Sequence, residues 1–341
     1  MVDRPTIADL AKKAGVSVAT VDRVLNRRLP VHQDTARRVV EAAEAIGYHA
    51  TGLLRRRLTE TPQRRFGFLL QKHDAFYQLF GRELSAATKA STQVEGKPLV
   101  EFMEHLVPSF IAEKLLATAQ KVDALAVVAM DHPLVNAAVE TIVASGKPVF
   151  ALLSHLTTPS CCGQYGADSR KCGRIAAWTI SRLAHRPGKI GILVGSHGYL
   201  NQELSEISFR TYMREHAPEF QLLEPIINLD DERLAYEAVT SMVSANPDLV
   251  GIYVSGGGQE GLIRALRERQ RGEKPTAVCN ELTTATRTAL LDGVIDLVLA
   301  TPIAALSKSL VEAMAKASIT TEFSKLPPMM LPPDVYLSEN I

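Results

Sequence analysis

Across roughly the first fifty residues, apolar positions recur at the three- and four-residue spacing of short helices. Ile7, Leu10 and Ala11 share one face of a helix predicted from Thr6 to about Lys13, and Thr6 with Asp9 three residues on has the form of a capping box. Ala14-Gly15-Val16 reads as a tight turn, because glycine tolerates a positive φ and Val16 can plug the angle between two helices. Ser17 caps a second helix whose inward face is Val21 with Val24 or Leu25, while Val18, Ala19, Asp22, Arg23 and Asn26 point elsewhere. A third helix is predicted from about Asp34 to Ile46, with Ala36, Val39, Val40, Ala43 and Ile46 apolar. Three short helices with a glycine turn between the first two make an all-α, three-helix helix-turn-helix head.

From Arg65 the pattern becomes strands alternating with helices. Apolar runs of strand length stand at 66–70, 124–130, 148–153, 190–194, 249–254, 276–279 and 295–299. Helical stretches such as Ala112–Lys121, Leu134–Ala144, Arg174–Ala184 and Gln259–Arg269 lie between them. This alternation predicts α/β architecture with doubly wound parallel sheets. About 275 residues exceed one comfortable core, so two lobes are expected, with a ligand cleft at the carboxyl ends of their strands. The expected division is a head over 1–50, a hinge over 51–64, and an effector-binding and dimerisation domain over 65–341. Its N-lobe would take about 65–163 plus 300–325, and its C-lobe about 164–299 plus 326–341.

Composition adds little until it is divided along the chain. The 341 residues are 46% hydrophobic and 22% charged, as in a folded protein, and carry a net charge of +1. Residues 1–65, however, hold 13 Lys and Arg against 7 Asp and Glu, a net +6, which leaves −5 for the remainder. A basic head on an acidic body is the asymmetry of a polyanion-binding module. The opening MVDRPTIADL has no apolar stretch after basic residues, and no apolar run reaches the roughly 18 residues of a membrane span. A cytoplasmic protein with no membrane partner is expected. Cys161, Cys162, Cys172 and Cys279 form no Cys-x-x-Cys pair and have no neighbouring histidines; buried thiols are expected, with no metal site and no disulfide framework.

Thr6-Ile7-Ala8-Asp9-Leu10-Ala11, Ala14-Gly15-Val16-Ser17, Thr20-Val21, Arg23-Val24-Leu25-Asn26 and Gly47-Tyr48 together resemble the DNA-binding head of LacI/GalR family transcription regulators. The stretches from Tyr165 to Ile180 and from Glu281 to Leu299 resemble the same family's effector domain, which is similar to periplasmic sugar-binding proteins. The resemblance implies a recognition helix beginning at Ser17 that lies in the major groove, with Val18, Ala19 and Arg23 facing base edges. Arginine can donate twice to guanine, whereas Val18 and Ala19 can touch only thymine methyls. Thr6, Ser17, Thr20, Asn26 and Thr35 match positions that contact phosphates. Asp22 departs from the family's usual serine, and a carboxylate beside phosphates costs affinity unless it is paired or turned away.

In the family a hinge helix follows the tyrosine and wedges a leucine into the minor groove. Here Ala50-Thr51 replace the usual Pro-Asn, and direct counting puts the wedge on Arg57. With a shifted register the wedge is Leu54 or Leu58, one helical turn apart, and Arg55, Arg56 and Arg57 lie against phosphates. Loops after successive strands are expected to line the cleft, with His73, Asp74, Phe76 and Tyr77 after the first strand. Asp131 with His132, Ser154 with His155, Ser255 to Gln259, and Glu281 follow later strands. Two contacts common in the family are missing: an arginine position falls on Ser205, and Ala300-Thr301 replace a polar residue.

The remaining function class is enzymatic. Gly256-x-Gly258-x-x-Gly261 after a strand, with Glu281 20 residues later, meets the dinucleotide-binding fingerprint, and a nucleotide-binding α/β enzyme is the alternative reading. No motif pairs it with a catalytic His or Lys, and Val194 breaks the nucleophile-elbow pattern at VGSHG. The expectation is therefore a regulator, not an enzyme, with no cofactor. It would be a homodimeric repressor on a pseudo-palindromic DNA operator, controlled by a carbohydrate-like effector: a sugar, polyol or sugar acid.

Overall fold

The computed structural model describes residues 5–26, 31–52, 54, 62–71, 74–269, 274–320 and 326–341. The head forms from α1 (Ile7–Ala14), α2 (Val18–Asn26) and α3 (Gln33–Ala45). Thr6 accepts the Asp9 N–H and the Asp9 carboxylate takes the Thr6 N–H at 2.9 Å, so the capping box starts α1. Gly15 ends it at φ 65°, a left-handed backbone that returns its N–H to the carbonyls of Ala11 and Lys12. Leu10, Ala11 and Ala14 of α1, Val21 and Leu25 of α2, and Val39, Val40 and Ala43 of α3 close the core. Leu25 rather than Val24 is the second inward residue of α2.

The body holds two sheets. The first contains β1 (Gln63–Leu70), β2 (Glu95–Phe102), β3 (Ala124–Val127), β4 (Val149–Leu152), β5 (Gly163–Ala167) and β12 (Met329–Leu331), in the order β12-β5-β4-β3-β1-β2, with all pairings parallel. The helices that connect and cover it are α4 (Ala75–Lys89), α5 (Pro108–Ala119), α6 (Pro133–Ala144) and α12 (Ile303–Ser318). Strand alternation decides which side chain meets which layer. Phe66, Phe68 and Leu70 of β1 face the core shared with α4 and α12, and Leu69 faces the other side with Leu125 and Val127.

The second sheet contains β6 (Lys189–Val194), β7 (Gln221–Leu222), β8 (Ile226–Ile227), β9 (Leu249–Val254), β10 (Thr276–Asn280), β11 (Leu297–Ala300) and β13 (Asp334–Tyr336). Its order is β13-β11-β10-β9-β6-β7 with β8 also on β6, and only the β11–β13 pairing is antiparallel. Around it lie α7 (Ser169–Leu183), α8 (Leu200–His216), α9 (Glu232–Ala245), α10 (Gln259–Arg267) and α11 (Thr284–Leu291). In each lobe the strand order reverses beside the first strand, β1 or β6, which places the carboxyl-end crevice there.

The chain crosses between lobes three times: after β5, after β11, and between β12 and β13. The lobe boundary therefore differs from the expected division at residue 163 and at residue 326, because β5 pairs with β4 and β12 pairs with β5 in the first sheet. Gly163–Ala167 is short and glycine-containing, so only its sheet partner reveals it as a strand. The edge strand β2, with Glu95, Lys97 and Glu101 along it, was likewise not legible as an apolar run. Among the described residues, no helix is long and apolar enough to cross a membrane. All four cysteines are buried and unbridged.

Candidate nucleic-acid interface and effector cleft

On the head, Ser17 caps α2: its hydroxyl accepts the Thr20 N–H at 3.1 Å and lies 2.8 Å from the Thr20 hydroxyl. Val21 and Leu25 turn inward, and Val18, Ala19 and Arg23 are exposed, Val18 at 52%. Thr6, Ser17 and Asn26 are exposed, and Thr20 and Thr35 half-buried. Asp22 has a partner: Asn26 Nδ2 donates to its Oδ1 at 2.6 Å, one helical turn away. The guanidinium of Arg38 donates to the carbonyls of Ala14 at 2.7 Å and Gly15 at 3.3 Å, tying α3 to the turn. The left-handed φ of 65° is what favours glycine at position 15; a Cβ there would lie 2.9 Å from the tip of the Arg38 side chain, which can shift.

Leu54 does not sit where a minor-groove wedge must. It is 1% exposed and packs into the head core beside Tyr48, because the Thr51 hydroxyl and the Leu54 N–H bond back to the Tyr48 and Ala50 carbonyls and fold this segment onto the head. Arg55, Arg56, Arg57 and Leu58 lie outside the described residues.

Between the lobes is a cavity of about 400 Å³ whose walls are the loops after β1, β4, β5, β6, β8, β9, β10 and β11, the carboxyl ends of both sheets. Asp74, Phe76, Tyr77, Ser154, Ser255, Gln259 and Glu281 all line it, as expected. The first three are not in a loop: Asp74 caps α4 by accepting the Tyr77 N–H at 2.9 Å, and Phe76 and Tyr77 occupy its first turn. Their rings meet edge to face at 5.0 Å. Burial pushes the Tyr77 hydroxyl far above its ordinary value, and the carboxylates of Asp230, Asp74 and Glu281 around it add to the rise. Gln259 turns its amide to the carbonyls of Gly256 and Asn280 at 3.0 and 2.9 Å, bracing two cleft loops.

Asp131 is a correction. It does not line the cavity; its carboxylate accepts from Thr157 N–H and Asn136 Nδ2, both at 2.9 Å. Burial alone would raise its carboxyl, but these bonds hold it below the ordinary aspartate range. Its own N–H donates across the cleft mouth to the Gly198 carbonyl of the other lobe at 2.9 Å. His132 caps α6 and His155 is not in the lining, while His73 lies outside the described residues.

Asp230 is the main cleft residue that sequence reasoning missed. It sits at φ 52°, following Leu229 at φ 53°, and its Oδ1 accepts the Gly257 N–H at 2.5 Å. A Cβ on Gly195, Gly256 or Gly257 would fall 2.0, 2.5 or 2.8 Å from Asp230. The glycines thus exist to admit this carboxylate. The fingerprint Gly256-x-Gly258-x-x-Gly261 has its anion already, supplied by the chain, and a pyrophosphate would have to displace Asp230. Among the described residues, three of the four non-glycine residues with positive φ, Leu153, Asp230 and Glu281, line the cavity, so backbone strain concentrates at this site.

Glu281 is held by Thr301, whose hydroxyl donates to Oε1 at 2.7 Å and whose N–H donates to Oε2 at 3.0 Å. Thr301, one of the two unexpected residues after β11, therefore has a defined task. Ser205, where an arginine was expected, shares a 2.7 Å hydrogen bond with the buried Tyr253 hydroxyl, whose ring stacks on Phe209 at 5.2 Å. No charge reaches the cleft from that position.

The fold and cleft define a class: a two-lobed ligand-binding domain behind a helix-turn-helix head. Residues 111–320 match the family model "Periplasmic binding protein domain", and residues 6–51 match "Bacterial regulatory proteins, lacI family". The chain belongs to the periplasmic binding protein domain family and carries a head of the bacterial lacI regulatory family. Its head is 53% identical over 45 residues to the HTH-type transcriptional regulator GalR of Streptococcus thermophilus, a match covering 13% of this chain and 14% of that one. It is 39% identical over 74 residues to the regulator MalR of Streptococcus pneumoniae, covering 21% and 22%. These matches span less than a quarter of the relatives' own lengths. The body is similar in fold to a solute-binding protein of Agrobacterium vitis bound to α-D-tagatopyranose. That match has a TM-score of 0.73 and 19% identity, and covers 81% of this chain and 95% of that one. A glucose-galactose binding protein of Geobacillus stearothermophilus matches with TM-score 0.73 at 15% identity over 82% and 99%.

Proposed function

We propose that the chain is a DNA-binding transcription regulator, a cytoplasmic homodimeric repressor whose affinity for a roughly palindromic operator is set by a carbohydrate-like effector between its lobes. The observation that carries this reading is one chain joining two sites. A basic head leaves Val18, Ala19 and Arg23 exposed on α2, and a cleft of about 400 Å³ is walled by hydroxyls, amides and an aromatic pair. Arg23 reads guanine with two donors, Val18 and Ala19 sense thymine methyls, and Thr6, Ser17, Thr20, Asn26 and Thr35 position the head on phosphates. Leu54 packs in the head, which favours Leu58 as the wedge, with Arg55, Arg56 and Arg57 as the residues that would meet the DNA backbone.

The effector acts by population shift: it prefers one arrangement of the lobes, and that arrangement alters whether two hinges can form together on DNA. The Asp131 to Gly198 bond is one of the contacts such a movement makes or breaks. A similar fold that holds α-D-tagatopyranose supports sugars and polyols as the first compounds to screen. Deleting residues 1–60 is expected to abolish operator binding in a fluorescence-anisotropy titration while leaving polyol-induced thermal stabilisation intact. Operator binding by the truncated chain would refute the assignment.

A further inference from the structure

Helix α7 buries one side and turns the other to solvent. Cys172, Ala176, Ala177 and Ile180 join the core between the second sheet and α8, while Arg170, Lys171, Arg174, Trp178 and Arg182 are exposed. At 3.6 residues per turn, Trp178 lies opposite Ala176 and Ile180. Arg170, Arg174, Trp178 and Arg182, each four residues after the last, run along this outer face with a rise of about 6 Å per step.

The stripe works against the helix that carries it. Arg170 and Lys171 stand in the first turn, beside the positive end of the helix dipole, where cations are disfavoured. Asp168, the N-cap, relieves part of this cost from 3.6 Å away from the Lys171 ammonium. Arg170 and Arg174 are like charges one turn apart, which also destabilises a helix. Trp178, the single tryptophan of the chain, is 50% exposed and forgoes much of the burial an aromatic ring can gain. The Arg174 guanidinium is held in place, 5.1 Å over the Tyr212 ring of α8 and 3.7 Å from Glu215.

Three costs to helix stability on one face are offset when an acidic partner covers it. Tryptophan and arginine are the side chains that most often dominate protein contacts, and a guanidinium fork takes a carboxylate through two donors. Charge along the chain favours a short occupant. The stripe spans about 18 Å from Arg170 to Arg182, whereas residues 66–341 together carry −5. A nucleic-acid strand continuing past either end of the stripe meets that acidic body, while a short segment ends with it.

We infer that the outer face of α7 docks an acidic segment of a partner protein. Its carboxylates meet Arg170, Arg174 and Arg182 at a spacing of one helical turn, and an apolar side chain between them covers Trp178.

The probe is an eighteen-residue helical peptide with glutamate at its third, seventh and fifteenth positions and leucine at its eleventh. With a single tryptophan in the chain, intrinsic fluorescence reports this face directly. The expected result is a saturable blue shift of Trp178 emission on adding the peptide to the full chain, weakened by salt. The same peptide with lysine for glutamate should give none. In anisotropy titrations of the labelled peptide, the double change Arg170→Glu with Arg182→Glu should weaken binding about tenfold or more, and Trp178→Ala should do the same. Peptide binding that leaves Trp178 emission unmoved, or that survives both sets of changes, would overturn the inference, as would no binding at all. Random-sequence duplex DNA that shifts Trp178 emission where the peptide does not would overturn it in favour of nucleic acid. Self-association in sedimentation that Trp178→Ala abolishes would overturn it in favour of a second copy of the chain.

Discussion

Arg23 and Asp22 are neighbours on α2 and carry opposite charges. Arg23 is exposed on the outward face, and replacing it with alanine should cost about 1–3 kcal/mol of discrimination at one base pair per half-site. An equal loss on random DNA, measured by anisotropy, would place Arg23 on a phosphate instead. Asp22 draws Asn26 into a 2.6 Å hydrogen bond, so on DNA the carboxylate would both repel phosphates and occupy an amide that could otherwise bind one. Asp22→Ser should therefore strengthen binding to any DNA, most at low salt where charges are least screened. The gain should shrink when Asn26→Ala is added, and an undiminished gain would mean that repulsion alone was relieved. The outward placement of both residues was legible from helical spacing, since Val21 and Leu25 dictate which face turns in. The Asp22 to Asn26 bond was not foreseen, although the four-residue spacing permits it.

At the scale of elements, the head depends on a contact between α3 and the turn after α1. Arg38 donates to the carbonyls of Ala14 and Gly15, an orphaned helix end that would otherwise look only to water. Arg38→Ala is expected to lower head stability by about 1–3 kcal/mol, the worth of hydrogen bonds from a charged donor, and to weaken operator binding in parallel. Unchanged unfolding by circular dichroism would show that water replaces the guanidinium without loss. The cleft loops obey a similar rule of mutual support. Asn228 Nδ2 donates to the Gly257 carbonyl at 2.8 Å while Asp230 takes the Gly257 N–H, so the loop after β8 and the glycine loop hold each other. Neither loop announces the other in sequence, because β8 is two residues long and the glycine run mimics a phosphate site.

Across the whole molecule, the two lobes create an electrostatic environment that neither has alone. Glu281 follows β10 of one lobe, and Thr301, Asp74, Tyr77, Cys172 and Asp230 face the same space from both. Its carboxyl, at 4.5 when unperturbed, is raised to about 7 in the fold by burial, so the protonated form is the one that folding favours. The associated stability is complete below about 4.5 and is lost as pH rises through about 7. Glu281→Gln should thus gain thermal stability relative to the parent as pH increases across that window, to an upper limit of about 3 kcal/mol because the cleft admits water. A constant difference in melting temperature from pH 4 to pH 8 would show that the carboxyl titrates normally.

What the sequence by itself determined about this protein is local: the capping box at Thr6 and Asp9, the glycine turn, the outward residues of α2, the strands with long apolar runs, and most of the cleft-lining positions at strand ends. Each is written within a few residues, where spacing and side-chain chemistry act directly. The tertiary structure decided the rest. It placed Leu54 in the head core, assigned β5 and β12 to the first lobe, withdrew Asp131 from the cleft to span its mouth, and filled the glycine loop with Asp230. Most of these outcomes rest on partners from about a dozen to more than a hundred residues apart, and no local pattern carries the shape of a cavity that two separate folding units enclose.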